Sequence, residues 1–142
     1  MTLEFHATPQ EVMRAVEALH EFARAQLVPE KAIFGLALAL EEYGSNIVNH
    51  ALQSDARQKF QVALQRTNDS FVIELRDRGA EFDPTATAER GPQANDDDRP
   101  GGWGIQLVRR YVDEICYRRE AGENLLRLTK RLGGAAGSKS TC

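Results

Sequence analysis

Glu41-Glu42-Tyr43-Gly44-Ser45-Asn46-Ile47-Val48-Asn49-His50-Ala51 closes a helical pattern that opens at Pro29. Its apolar residues are Ile33, Leu36, Ala37, Leu40, Ile47, Val48 and Ala51. They cover more than one stripe, so the helix is expected to be largely buried. Glu42 and Asn46 are four residues apart and share a face, with Asn49 and His50 close to it. A carboxylate on so apolar a helix needs a reason, because burying a bare charge is costly. Two readings fit: a solvated stripe, or a site. In the second, the Asn46 amide oxygen is a suitable hard ligand for Mg²⁺, and Glu42 can orient or deprotonate a hydroxyl.

Working outward, Leu3, Phe5 and Ala7 alternate with polar residues and predict a short strand. Thr8-Pro9-Gln10-Glu11 reads as a helix start, with Thr8 as N-cap, Pro9 in the first position and Glu11 completing a capping box. Val12, Ala15, Val16, Leu19, Phe22 and Ala23 continue that helix. Downstream, Phe60, Val62 and Leu64 and then Phe71 to Leu75 predict a hairpin turning at Thr67-Asn68-Asp69-Ser70. The apolar pattern stops over Ala80 to Arg99, an unusual length of about twenty residues inside one domain. A third helix is expected from Gly104 to Val112. A second hairpin then covers Glu114 to Arg119 and Leu125 to Leu132, turning at residues 121–124. Residues 133–142 read as a frayed tail. Strands and helices do not alternate strictly, which argues against a doubly wound parallel sheet. The expected fold is α+β: a two-layer sandwich of a mostly antiparallel mixed sheet with helices on one face.

At 142 residues one domain is expected, over 1–132. A net charge of −3 gives no reason to expect a nucleic-acid partner. No apolar run approaches the ~18 residues of a membrane span, and MTLEFHATPQ lacks the features of a signal peptide. Two cysteines, Cys116 and Cys142, make neither a disulfide framework nor a metal cluster, and a reduced, cytoplasmic setting fits them best.

A second pair of motifs bears on function. Asp77-Arg78-Gly79 ends an apolar strand, and Gly79 lets the chain turn tightly. Alone this is an ordinary turn, although a buried Asp77 could accept a hydrogen bond from an adenine amino group. Gly101-Gly102-Trp103-Gly104 precedes a helix, where open backbone N–H groups favour phosphate. It is not a Walker A loop, for no Gly-Lys-Ser/Thr follows.

These stretches, in this order, resemble the GHKL (Bergerat-fold) ATP-binding superfamily, and within it the small bacterial anti-sigma-factor serine/threonine kinases. Glu41 to Ala51 is similar to the N box, Asp77-Arg78-Gly79-Ala80-Glu81-Phe82-Asp83-Pro84 to the first glycine box, and Gly101-Gly102-Trp103-Gly104-Ile105 to the second. Val112-Asp113-Glu114-Ile115 with Tyr117-Arg118-Arg119 adds to the likeness, which runs over residues 3 to 132. The resemblance implies ATP and Mg²⁺ as cofactors, Glu42 as general base and Asn46 as the metal ligand. Asp77 would read the base, and Gly79, Gly101, Gly102 and Gly104 would shape the pocket and a lid over about residues 80–102. Apart from what the resemblance implies, Arg99 is the nearest cation to these glycines and a candidate to reach the γ-phosphate. The implied partners are a small antagonist protein, phosphorylated on serine or threonine, and a sigma factor or similar regulator held in its place. Relatives of this kind often form homodimers.

The chain departs from the pattern in places. Glu81 stands where a second glycine is common, and Gly122-Glu123-Asn124 matches the third box poorly, with Asn124 a candidate for its polar role. Asp96-Asp97-Asp98 puts negative charge in the lid, read as solvated. Two other functions are weighed. A catalytically silent, ATP-gated binding module would have no need of Glu42. A histidine-kinase ATP-binding domain would need an acceptor histidine on a dimerising hairpin, which His6, His20 and His50 do not supply.

Overall fold

The structure, a computed structural model, describes residues 1–88, 108–133 and 140–141. In chain order the elements are β1 (Thr2–His6), α1 (Pro9–Ala25), α2 (Glu30–Asn46), a π-helical turn (Ile47–Ala51), β2 (Lys59–Arg66), β3 (Ser70–Asp77), α3 (Pro84–Ala88), β4 (Glu114–Glu120), β5 (Glu123–Arg131) and β6 (Ser140–Thr141). Residues 108–111 are also helical. The sheet order is β1-β2-β3-β5-β4-β6, antiparallel throughout except for the β4–β6 pair. This is the expected α+β arrangement.

Local chemistry accounts for the boundaries. The Thr8 hydroxyl accepts from the Glu11 N–H at 3.1 Å, as an N-cap should. The Glu11 carboxylate turns back to the His6 N–H at 3.2 Å, one step beyond the capping box, because the Thr8 N–H is held by the His6 carbonyl at 2.9 Å. Between β4 and β5 the turn tightens to Ala121 and Gly122, both left-handed at φ 52° and 78°; Glu123 and Asn124 join β5 instead of the turn. Two left-handed residues suit the twist of a two-residue hairpin, and Gly122 adopts that conformation without a Cβ penalty.

One face of the sheet carries the core. Leu19, Leu36, Leu40 and Tyr43 from α1 and α2 are buried with Phe60, Leu64, Phe71, Ile73 and Leu128 from β2, β3 and β5. Phe60, Val62 and Leu64 of β2 and Phe71, Ile73 and Leu75 of β3 alternate along their strands, so these six reach this face. Charge lies on the other face, where Glu74 pairs with Arg127 at 2.6 Å and Arg76 with Glu123 at 3.3 Å. Exposed pairs of this kind contribute only ~0.2–1 kcal/mol each.

The structure corrects four further expectations. The unpatterned stretch after Ala80 contains α3, which is capped and not amphipathic: Asp83 Oδ1 accepts from the Thr85 N–H at 2.9 Å, with Pro84 in the first helical position. The helix from Pro29 does not stay α to Ala51 but widens into a π turn, marked by the Leu52 N–H on the Ile47 carbonyl at 2.8 Å. Ser140–Thr141 form a strand beside β4, in register Glu114↔Ser140 and Ile115↔Thr141, where a frayed tail is expected. Cys116, the next residue of β4, is disulfide-bonded, not a reduced thiol.

Candidate functional site

Asp77 is the last residue of β3 and continues the alternation Phe71, Ile73, Leu75, so its side chain lies on the core face, 3% exposed. Register puts it opposite Asn124, 4% exposed. Asp77 Oδ1 accepts from the Gly79 N–H at 2.8 Å and from Asn124 Nδ2 at 2.9 Å. Asp77 Oδ2 is buried and has no partner. Burial raises the Asp77 carboxyl above its ordinary range, while the bonds from Asn124 and Gly79 pull it back. A narrow pocket opens at this carboxyl. Leu75, Leu126, Ile47, Ala51, Phe82 and Tyr117 are among the residues that line it. An unsatisfied buried acceptor among apolar side chains calls for a donor at the edge of a ligand.

Gly79 joins this turn to the π turn. The Ala80 N–H donates to the Ala51 carbonyl at 3.0 Å, and a Cβ on Gly79 would stand 2.2 Å from that same oxygen. Positive φ among the described glycines is confined to Gly122, so the tight turn needs Gly79 for its close approach and not for a left-handed backbone. Arg119 donates to the Gly79 carbonyl at 2.8 Å from the outside. His50 is exposed and stacks on Phe82, ring centroids 4.9 Å apart.

Glu42 and Asn46 lie on the last turns of α2, both half-buried, and Asn46 immediately precedes Ile47, which lines the pocket. The polar stripe of the sequence therefore divides. Asn49 and His50 face solvent, whereas the Asn46 Nδ2 is buried without a partner. Burial, and then the neighbouring Glu41 charge, push the Glu42 carboxyl up to about 7. Among the described residues no group of three His, Cys, Asp or Glu is placed to hold a metal. The donor set fits a cation such as Mg²⁺ that would be held mainly by the phosphates of a ligand and by water, with the Asn46 amide oxygen as the protein's contribution.

The Glu42 shift has a consequence for stability. Its folded pKa, about 7, lies above the unfolded value of 4.5, so the unfolded chain holds fewer protons between these limits. Wild-type stability should fall as pH rises through that window. Glu42→Gln mimics the neutral form. Thermal melts should find the variant more stable at pH 8 by about 1 kcal/mol, allowing for partial exposure, and no different below pH 4.5. An offset equal at both pH values would mean that Glu42 is not desolvated.

The structure thus brings Asp77 and Gly79 together; Asn46 directly precedes Ile47 of the pocket, and Glu42 lies one helical turn earlier on α2. Gly101, Gly102, Gly104, Arg99, Asp96-Asp97-Asp98 and most of the 80–102 lid lie outside the described residues. Asn124, only a candidate on sequence, is fully built into the site. Its signal would have been the strand register that places it opposite Asp77.

Residues 5–130 match the family described as histidine kinase-like ATPase domain. Serine/threonine-protein kinase BtrW of Bordetella bronchiseptica is 31% identical over 129 residues, covering 90% of this chain and 91% of that protein. Serine-protein kinase RsbW of Listeria innocua is 28% identical over 131 residues, covering 89% and 83%. Among solved structures, the RsbU and RsbW domains of Rv1364c from Mycobacterium tuberculosis align with a TM-score of 0.62 at 19% identity, covering 99% of this chain and 35% of that one. The SiaB–SiaC complex from Pseudomonas aeruginosa aligns with a TM-score of 0.59 at 14% identity, covering 92% and 89%. These two structures speak for the fold.

Proposed function

The chain belongs to the histidine kinase-like ATPase domain family, and within it we propose that it is a serine/threonine-protein kinase of a partner-switching module. It binds ATP with Mg²⁺, phosphorylates a serine or threonine on a small antagonist protein, and otherwise holds a sigma factor or similar regulator. The observation that carries this reading is Asp77 Oδ2, a buried acceptor left open in an apolar pocket beside a helix that bears Glu42 and Asn46. The names of the curated relatives support the same chemistry. No helix among the described residues is long and apolar enough to cross a membrane, and the proposed place of action is the cytoplasm.

In this reading each residue has a role. Asp77 accepts from the exocyclic amine of adenine, with Leu75 and Leu126 against the ring. Asn46 offers its amide oxygen to Mg²⁺, which when bound offsets phosphate charge. Glu42 takes the proton of the attacking hydroxyl, for which a carboxyl near 7 is well matched to neutral pH. Positioning and charge stabilisation carry the remainder of a phosphoryl transfer. Once Glu42 has passed its proton to water, the phosphorylated product, with a charge of about −1.5 to −2, faces the Glu41 and Glu42 carboxylates and leaves.

Calorimetry and labelling test this together. ATP·Mg²⁺ should bind, and Asp77→Asn should weaken it by about 1–3 kcal/mol through loss of a charged acceptor. Labelled ATP should place acid-stable phosphate on the co-purifying antagonist. Absence of nucleotide heat removes the ATP site; acid-labile label on this chain would instead make it a histidine kinase.

A further inference from the structure

We infer that Asn124 is a positioning residue that fixes the direction of the Asp77 carboxylate and thereby sets base selectivity. Its side-chain amide makes four hydrogen bonds. Nδ2 donates to Asp77 Oδ1 at 2.9 Å and to the Ala80 carbonyl at 2.8 Å. Oδ1 accepts from the Tyr117 hydroxyl at 2.6 Å and from the Phe82 N–H at 3.3 Å. Both hydrogens and both lone pairs are engaged, so the side chain has no spare capacity. Its orientation is not arbitrary either. The Ala80 carbonyl can only accept and the Phe82 N–H can only donate, so a flipped amide would oppose like with like at both.

This arrangement divides the two oxygens of Asp77. Oδ1 is held inside the protein by Asn124 and Gly79, and Oδ2 is left buried and open. A carboxylate free to rotate could present either oxygen to Asn124 and blur the position of the acceptor. Held at Oδ1, it offers one acceptor in one place, and a ligand without a donor there leaves a buried charge unpaired. The same amide anchors residues 80 and 82, so the turn that leads away from the pocket is placed by the group that orients the base reader. Asn124 touches no reacting atom and acts through Asp77.

This inference rests on the nucleotide reading given above, so the experiment separates the two. The probes are ATP and purine riboside triphosphate, which lacks the 6-amino group, each with Mg²⁺, titrated by calorimetry. Wild type should favour ATP by about tenfold or more. Asn124→Ala should bring that ratio within about twofold. A merely structural role would weaken both nucleotides alike and leave the ratio unchanged. If Asn124→Ala does not fold, Asn124→Thr serves: a β-branched residue suits a strand, and one hydroxyl can donate to Asp77 or to the Ala80 carbonyl but not to both. It should give a ratio between wild type and unity. A wild-type ratio near unity overturns the base reading at Asp77 and this inference with it. Discrimination that survives undiminished in the variants overturns this inference alone.

Discussion

Glu42→Gln is expected to slow phosphoryl transfer to the protein substrate by about 10²–10⁴-fold, the usual worth of a positioned general base. Glutamine keeps the shape and hydrogen-bonding reach of glutamate but cannot take up the hydroxyl proton. Glu42 is not among the residues that line the pocket at Asp77, so affinity for ATP·Mg²⁺ should stay within a few-fold. The pH dependence supplies a second check. Half-burial and Glu41 hold the wild-type carboxyl near 7, so the base form becomes available as pH rises through 7, and the rate should rise with it. In Glu42→Gln that limb should vanish. Single-turnover transfer from labelled ATP, followed between pH 5.5 and 8.5, reads both effects. A variant that transfers at the wild-type rate would leave Glu42 a surface carboxylate and favour a silent ATP-gated binder. The substitution should also stabilise the fold at alkaline pH, since a catalytic carboxyl held above its ordinary pKa costs stability when ionised.

Gly79→Ala should be the most damaging single methyl in the site. The added Cβ would meet the Ala51 carbonyl oxygen at 2.2 Å, its carbon at 2.6 Å and Leu52 Cδ2 at 2.9 Å. Two of these are backbone atoms, so no rotamer change relieves the clash. Either the turn or the π turn must move. Movement breaks the bond from the Ala80 N–H to the Ala51 carbonyl and displaces the Gly79 N–H from Asp77 Oδ1. We expect a loss of about 1–3 kcal/mol in chemical denaturation, as for other overpacked positions, and a fall in nucleotide affinity of at least about tenfold. Gly133→Ala is the control, because a Cβ there meets nothing within 4 Å. Equal behaviour of the two variants would mean that the turn is compliant and that Gly79 does not join it to α2.

Much of this protein is determined by residues close together in the chain. The alternation of Phe60, Val62 and Leu64 and of Phe71, Ile73 and Leu75 specifies two strands with one buried face. Thr8, Pro9 and Glu11 specify the start of α1, and the wide apolar surface from Ile33 onward specifies a buried α2. Each depends on a repeat or a cap only a few residues long, so sequence order suffices. The spacing of Glu42 and Asn46, and Asp77 at a strand end, are legible for the same reason. Other features depend on which distant residues meet. Asn124 is 47 positions from Asp77 and becomes its partner only through the β3–β5 register. Gly79 is needed because the π turn brings the Ala51 carbonyl against it, which no local pattern encodes. Desolvation of Glu42, which turns an ordinary carboxylate into a base suited to neutral pH, likewise comes from packing around α2 and not from its neighbours in sequence. Sequence alone determines the elements and the chemical groups they carry; tertiary structure decides which of those groups are buried, paired or left open, because hydrogen bonding and desolvation act through space and not along the chain.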